Sequence, residues 1–344
     1  MAVAPGIEIE VGERTVRVSN PDKVFFPSSG ITKMDLVRHY LTVGAGALRG
    51  VRSRPTVMKR FPNGVEQDFF FQKRVPASRP EWLSTAVVAF PSGRTAEEIC
   101  PADLAHVIWM VNLGCVDLNP WAVRKLDLSA PDELRVDLDP QPGVPFSAVR
   151  DVAMCVRDVL TEHELVGFPK TSGSRGIHIN IRIRTSWDFT EVRRAALALS
   201  REVERRLPGV ATTKWWKEER GDTVFLDFNQ NARDRTVASA YSVRPNPLAL
   251  VSTPMTWDEV PTCELGHFTL ESVADRFSRG IDPDAAIDEM AYSLQPLLDL
   301  AAQDEAGGLG DAPWPPNFPK APGEGRRVAP SRRRKEPKTP EDDG

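Results

Sequence analysis

The stretch 133-ELRVDLDPQPG-143 decides how this chain of 344 residues is read. Leu134, Val136 and Leu138 alternate with Arg135, Asp137 and Asp139, which is the period of a β-strand and sends both aspartates out of one face. Like charges side by side repel, and burying them unpaired is costly, so the pair makes most sense around a cation. A hard divalent ion, Mg²⁺ or Mn²⁺, takes oxygen ligands and would hold the two together. Taken alone, such a pair is more often two acids facing water on an edge strand, so the reading needs company from the rest of the chain.

Downstream, the pattern predicts a helix over about residues 147–162, strands near "LVGFPKT" and "IHINIRI", a helix over about 190–207 and a strand "TVFLDFN". Alternating strands and helices with short connections indicate a mixed sheet with helices packed on it, α+β or α/β. Upstream, residues 7–130 mix short strands such as "IEIEV" and "TVRVS" with a helix whose start is marked by Thr32 and Asp35, spaced as a capping box. Beyond about Pro261 further helices are expected, including "DAAIDEMAYSLQPLLDLAAQ". Residues 306–344 lose the apolar pattern, are rich in Gly and Pro, and carry the basic run Arg332 to Lys335. Such a segment cannot bury enough apolar surface to fold alone and is expected to be a disordered, solvated tail, with a nucleic-acid-binding arm as the alternative.

With 41% hydrophobic and 27% charged residues, the chain can build a sizeable core, as one large domain or two packed lobes plus a tail. No charge-free apolar run approaches the roughly 18 residues of a membrane span, and no basic-then-apolar leader is visible. Cys100, Cys115, Cys155 and Cys263 form no CxxC pair, which suggests neither a disulfide framework nor a zinc knuckle and fits a reducing cytoplasm. A net charge of −4 neither supports nor excludes a DNA partner.

Company for the aspartate pair comes from three places. In "VFLDFNQN", Asp227 sits between Leu226 and Phe228 in an apolar strand pattern and offers a third carboxylate to the same sheet. In "KTSGSRGIHINIRI", Gly173 and Gly176 flank Ser174 and Arg175 in a turn between strands. Glycines let backbone approach a ligand, hydroxyls and N–H groups cradle phosphate oxygens, and Arg175 and His178 add charge or hydrogen bonds, although a plain Gly-rich hairpin reads the same way. In "TVASAYSVRPNP", Arg244 follows Tyr241 and Ser242 and precedes Pro245, where the chain is extended. Phe69, Phe70, Phe71 and Trp82 are read as core, with base stacking as the alternative; Trp215 and Trp216 in "KWWKEER" have a better claim to a DNA-facing loop.

In that order, the motifs "DLDP", "TSGSRGIHI" and "DFNQNARDRTVASAYSVR" resemble the polymerase domain of bacterial non-homologous end-joining ligase D, a branch of the archaeo-eukaryotic primase (primase-polymerase) superfamily. Similarity extends through "NPDKVFFPSSGITKMDLVRHY", "RPTVMKRFPNGV" and "STPMTWDEV", and covers roughly residues 8–262. The resemblance implies an α+β primase-like core in two closely packed lobes, residues 1–130 and 131–262, with a helical extension over 263–305 ahead of the tail. No ligase or nuclease domain is visible, so a stand-alone primase-polymerase is expected, in the cytoplasm at the nucleoid.

The resemblance further implies that Asp137, Asp139 and Asp227 hold two divalent ions, Mn²⁺ or Mg²⁺, that activate a primer 3′-hydroxyl and neutralise the leaving pyrophosphate. Ser172, Arg175, His178 and Arg244 would grip the incoming triphosphate, with Lys59 and Arg220 as helpers. Arg175 stands where the family often has Lys, exchanging a point charge for a bidentate fork. Asn20, Lys23 and Lys33 match the family's pocket for the 5′-phosphate across a gap. In "VDLNPW", Asn119 replaces the His that relatives commonly carry.

The implied activity is template-directed nucleotide addition, ribonucleotides included, at gaps or broken ends. Implied partners are gapped or broken duplex DNA with a downstream 5′-phosphate, NTP or dNTP, and a DNA ligase and Ku-type protein in trans. A silent end-binding module that recruits a ligase, and a two-metal phosphodiesterase, are the alternatives. Three retained aspartates argue against the first, and the triphosphate-binding group around Ser172 and Arg244 argues against the second.

Overall fold

The computed structural model describes residues 6–320 and 327–332. The chain opens with the hairpin β1 (Gly6–Val11) and β2 (Arg14–Ser19), then the short pair β3 (Val24–Phe26) and β4 (Ile31–Thr32). The expected capping box is formed: the Asp35 N–H donates to Thr32 Oγ1 and the Thr32 N–H to Asp35 Oδ2, starting α1 (Lys33–Thr42), which α2 (Gly44–Val51) follows. A first sheet comes from β5 (Thr56–Arg60), β6 (Phe70–Gln72), β7 (Thr85–Ala89) and β8 (Thr95–Ile99), and after α3 (Leu104–Asn112) the strand β9 (Cys115–Pro120) returns to pair with β5.

The second sheet carries the aspartates. It takes β10 (Glu133–Pro140), then, after α4 (Phe146–Glu162), β11 (Phe168–Thr171) and β12 (Ile177–Arg182), and after α5 (Phe189–Arg206), β13 (Ala211–Thr212) and β14 (Val224–Leu226). The strand order is β11-β12-β10-β14-β13, so β10 is central rather than an edge strand. Leu134, Val136 and Leu138 are buried, as are Val149, Val152, Ala153, Val156 and Leu160 of α4, whose spacing of three and four makes one apolar face. With α4 and α5 packed against it, β10 keeps its aspartates on the other side of the strand. Where β10 begins, Arg54 donates from Nη2 to Asp132 Oδ2 at 2.9 Å, and Glu133 pairs with Arg135 and Arg182. These buried pairs tie the segment before β5 to the start of β10, and the apolar core runs through both sheets without a break.

Four expectations need correction. The strand of "TVFLDFN" stops at Leu226, because Asp227 turns the chain into a 3₁₀ turn, Phe228–Asn231. Of the helix expected over "DAAIDEMAYSLQPLLDLAAQ", only α7 (Gln295–Ala306) forms, after α6 (Leu270–Ser278). Its first half is captured by β12, with the Tyr292 N–H donating to Arg182 O and the Arg184 N–H to Tyr292 O, 2.9 Å each, and Pro296 starts the helix where its missing N–H is harmless. Residues 307–320, expected to be disordered, pack against α5, where Arg193 takes Asp311 and the carbonyl of Ala312. Apolar content was a poor guide there because arginines supply the contacts. Residues 321–326 and 333–344, the latter with the basic run beyond Arg332, lie outside the described residues. Finally, Phe69, Phe70 and Phe71 are 48%, 46% and 57% exposed instead of core, since β6 is a three-residue edge strand. Among the described residues no helix is long and apolar enough to cross a membrane.

Candidate active site

Asp137 and Asp139 leave one face of β10, and β14 brings Asp227 beside them: its N–H donates to Asp137 O at 2.9 Å. Asp227 then accepts at Oδ1 from the Asn229 N–H (3.1 Å) and at Oδ2 from Gln230 Nε2 (3.2 Å), which fixes its carboxylate at the mouth of the 3₁₀ turn. Carboxylate oxygens of the three aspartates all lie within 4.8 Å of one another. Burial pushes the Asp137 carboxyl up to about 6, the charge of Asp137 does the same to Asp139, and burial followed by both neighbours carries Asp227 to about 7. An oxygen-only donor set whose members repel one another fits a hard divalent cation, which removes the repulsion.

This gives a pH prediction. The three folded-state values lie above the ordinary carboxylate range, so their contribution to stability is full below about pH 4 and is lost as pH rises through about 6 to 7. A cation needs them ionised, so its stabilisation runs the other way. Melting temperatures in chelator and in Mn²⁺ should differ little at about pH 5 and clearly at about pH 8. A Mn²⁺ shift of equal size at both would contradict the assigned ligands.

Two residues stand behind Asp137 in one line across the sheet. Asp137 is opposite His178 on β12, and His178 is opposite Lys170 on β11. His178 Nε2 is 3.3 Å from Asp137 Oδ1, and His178 Nδ1 is 2.8 Å from Lys170 Nζ. Lys170 is fully buried and also donates to Ala238 O and Ser252 Oγ, 2.7 Å each. Because Ser252 Oγ spends its own hydrogen on Thr171 O, it must accept from Lys170. Burial lowers Lys170 to about 7; in its ammonium form the third proton goes to Nδ1, which leaves the proton of neutral His178 on Nε2, facing Asp137. Burial, with the charges of Lys170 and Arg244, holds His178 well below its ordinary value, so it stays neutral. Lys170 was not singled out from the sequence; the signal was a lysine inside the short strand pattern "GFPKT", where a charge must find partners.

The Gly-Ser turn is more than a hairpin. Ser172 Oγ accepts from the N–H groups of Ser174 (3.1 Å) and Gly176 (3.0 Å) and so shapes the loop from inside. A side chain on Gly176 would meet Leu138 O at 2.0 Å, and one on Gly173, which has φ +67°, would meet Arg244 Cγ at 2.4 Å. The turn is thus pressed against β10 and against Arg244. Arg175 is exposed at its tip, with its charge reaching Asp139.

The other expected cations are nearby but differently used. Arg244 lies 3.5 Å from Asp117 Oδ1, its Nε buried without a hydrogen-bond partner, while its charge acts on Asp137 and His178. Lys59, paired opposite Asp117 on β9, holds its ammonium 4.4 Å from the Phe69 ring centroid and 5.9 Å from that of Phe71. Arg220 faces Asp227 and Asp139, yet it donates to Lys214 O (3.0 Å) and Trp215 O (2.8 Å) and stacks on Phe225, closing the "KWWKEER" loop. Trp215 and Trp216 are half-buried, and Trp82 packs edge-on against His106. Asn119 is buried, with Nδ2 donating to the Asp117 carbonyl at 3.0 Å, a contact within its own strand.

Asn20, Lys23 and Lys33 do gather at the start of α1, although not as a free helix N-terminus. The Lys33 and Met34 N–H groups donate to Lys23 O and Pro21 O, and that of Asp35 is taken by the cap. Lys33 Nζ donates to Ser19 O (2.6 Å) and Asn112 O (3.0 Å), and Lys23 Nζ donates to Pro62 O. Burial and the neighbouring charges of Lys23 and Arg60 lower Lys33 to about 8. Lys23, Lys33 and Arg60 thus stand close enough for their charges to act on one another beside the start of α1.

Fold and site together define a carboxylate-centred α+β domain of the primase-polymerase type. Residues 32–284 match the model of the LigD primase-polymerase domain, and the chain belongs to that family. The multifunctional non-homologous end joining protein LigD of Mycolicibacterium smegmatis is 30% identical over 313 residues, covering 89% of this chain and 40% of that protein. The multifunctional non-homologous end joining DNA repair protein LigD of Mycobacterium tuberculosis is 32% identical over 311 residues, covering 85% and 40%. This chain therefore spans about 40% of the length of these curated relatives. Among solved structures, the polymerase domain from Mycobacterium tuberculosis ligase D in complex with DNA superposes with a TM-score of 0.76 at 31% identity, covering 80% of this chain and 99% of that one.

Proposed function

We propose that this protein is a template-directed nucleotidyltransferase that adds nucleotides, ribonucleotides included, to a primer 3′-hydroxyl at short gaps or broken ends of DNA during end joining. The observation that carries this reading is the aspartate cluster, with oxygens within 4.8 Å, flanked by a serine-glycine turn and convergent cations. Bound there, Mn²⁺ or Mg²⁺ would supply Lewis-acid activation of the 3′-hydroxyl and neutralise the departing pyrophosphate. Asp137, Asp139 and Asp227 would hold it, two ions being the family's pattern.

The remaining roles belong to the chain's own groups. Neutral His178 directs Nε2–H at Asp137 and orients that carboxylate, a role distinct from the triphosphate grip implied by resemblance. The glycines beside Ser172 permit close approach of phosphate oxygens, and exposed Arg175, with Arg244 and Lys59 behind it, supplies the countercharge. Arg220 keeps the loop beside Asp139 and Asp227 closed and lends its charge. The exposed ring of Phe71, with Phe69 and Phe70, offers a stacking surface worth about 1–3 kcal/mol per base. A ligase and a Ku-type end-binding protein in trans complete the proposed pathway, in the cytoplasm at the nucleoid.

Asn20, Lys23 and Lys33 are assigned to the downstream 5′-phosphate. A short gap ending in 5′-phosphate is expected to bind more tightly than the same gap ending in 5′-hydroxyl, and Lys23→Ala and Lys33→Ala should remove the difference. Loss of one charge-assisted hydrogen bond, about 1.5–3 kcal/mol, corresponds to roughly tenfold or more. Fluorescence anisotropy at fixed salt measures it, and equal wild-type affinities for the two ends would leave a simple primer-extending enzyme.

A further inference from the structure

Arg193 lies on α5, yet it is 1% exposed. Its guanidinium sits 4.0 Å from the ring centroid of Trp314 and 5.2 Å from that of Phe228, the residue after Asp227. Its N–H groups donate to Asp311 Oδ1, Ala312 O and Asn229 Oδ1, 2.7 Å each. Trp314 Nε1 donates to Asp311 Oδ2 at 2.8 Å, and Asn229 Nδ2 donates to Pro313 O at 3.1 Å. Asn229, 2% exposed, gives its backbone N–H to Asp227 Oδ1. A closed set of contacts thus joins the segment after α7 to one aspartate of the cluster.

We propose that Trp314 and Asp311 are positioning residues for Asp227, acting through Arg193 and the Phe228–Asn231 turn, so that residues 307–314 form part of the metal site. The inference rests on the reading of the three aspartates as metal ligands. A four-residue 3₁₀ turn has little stability of its own, so its shape follows what packs on it. A buried guanidinium holds its position only while its donors are paired, and the acceptors Asp311 Oδ1, Ala312 O and Pro313 O all come from the C-terminal segment. Removing Asp311 leaves one Arg193 nitrogen without its acceptor, and removing Trp314 takes the ring from over the guanidinium, so Arg193 is held less firmly, and Asn229 with it. The distant C-terminal segment then changes how tightly a cation is held without touching it.

The test is Mn²⁺ affinity, read in the full-length protein from the electron paramagnetic resonance signal of free Mn²⁺, with melting temperature measured alongside. Trp314→Ala and Asp311→Ala should each weaken binding by roughly tenfold, the size typical of lost contacts behind a metal ligand. Trp314→Phe, which keeps a ring over Arg193, should restore most of it. Arg194→Ala breaks the exposed Arg194–Glu305 pair between α5 and α7 and should leave Mn²⁺ affinity unchanged, which separates positioning from general loosening of the C-terminal segment. Should Trp314→Ala fail to fold, Asp311→Ala decides, since Asp311 is 58% exposed at its side chain. Wild-type affinity in Asp311→Ala or in folded Trp314→Ala, while Asp227→Asn loses Mn²⁺, overturns this inference alone; wild-type affinity in Asp227→Asn as well overturns the metal-site reading with it.

Discussion

Asp139→Ala is expected to lose nucleotide addition almost completely while keeping its fold and its DNA binding. Lewis-acid stabilisation of several kcal/mol corresponds to roughly a thousandfold or more in rate, and a site with two carboxylates in place of three holds its cation poorly. The same substitution removes a charge that Asp137 repels, so the metal-free protein should melt at an equal or higher temperature. Asn20, Lys23 and Lys33 stand at the start of α1, on a different element from β10, so anisotropy with gapped DNA should be unchanged. Single-turnover extension and thermal melting of the purified variant check both halves. Wild-type extension rates, or inactivity explained by unfolding, would contradict the assignment.

Lys170→Met should have the second-largest effect. Methionine fills much the same space, and replacing a buried charge by an apolar group is often tolerated, but Ala238 O, Ser252 Oγ and His178 Nδ1 all lose their donor. With Nδ1 no longer held as acceptor, the His178 proton is shared between the two ring nitrogens, and Asp137 loses a fixed neighbour. Removing a contact behind a ligand in this way costs about 10–100-fold in activity. Ring-nitrogen chemical shifts of His178 in NMR should show the proton on Nε2 in the wild type and a mixture in the variant. A single Nε2–H tautomer in both, with full activity, would remove Lys170 from the account.

The central sheet was legible because its signals are local. Alternation in residues 133–140, the Thr32–Asp35 cap and the apolar face of α4 each follow from a repeat that the chain states within a few residues. What was missed depends on partners far away in sequence. Lys170 looks like a stray charge until His178, Ala238 and Ser252 surround it. Asp227 was read as the middle of a strand, and it takes contact with Asp137 to turn it into the cap of a 3₁₀ turn. Phe69, Phe70 and Phe71 look like core by composition and are exposed because β6 is an edge. The segment after α7 has too few apolar residues to announce a docked structure, and Arg193 docks it by hydrogen bonds and ring stacking instead. Asn20, Lys23 and Lys33 come together near the start of α1 because the first N–H groups of that helix are spent on Lys23 O, Pro21 O and Thr32 Oγ1, links to a loop that local sequence does not announce.

The most direct measurement is extension of an end-labelled primer on a gapped template by the wild-type protein with NTP and Mn²⁺, with the Asp227→Ala variant in parallel. The account predicts that the wild type lengthens the primer according to the template base and that the variant does not; a shortened primer would make the aspartates a nuclease site, and an unchanged one would reduce the chain to a DNA-binding module.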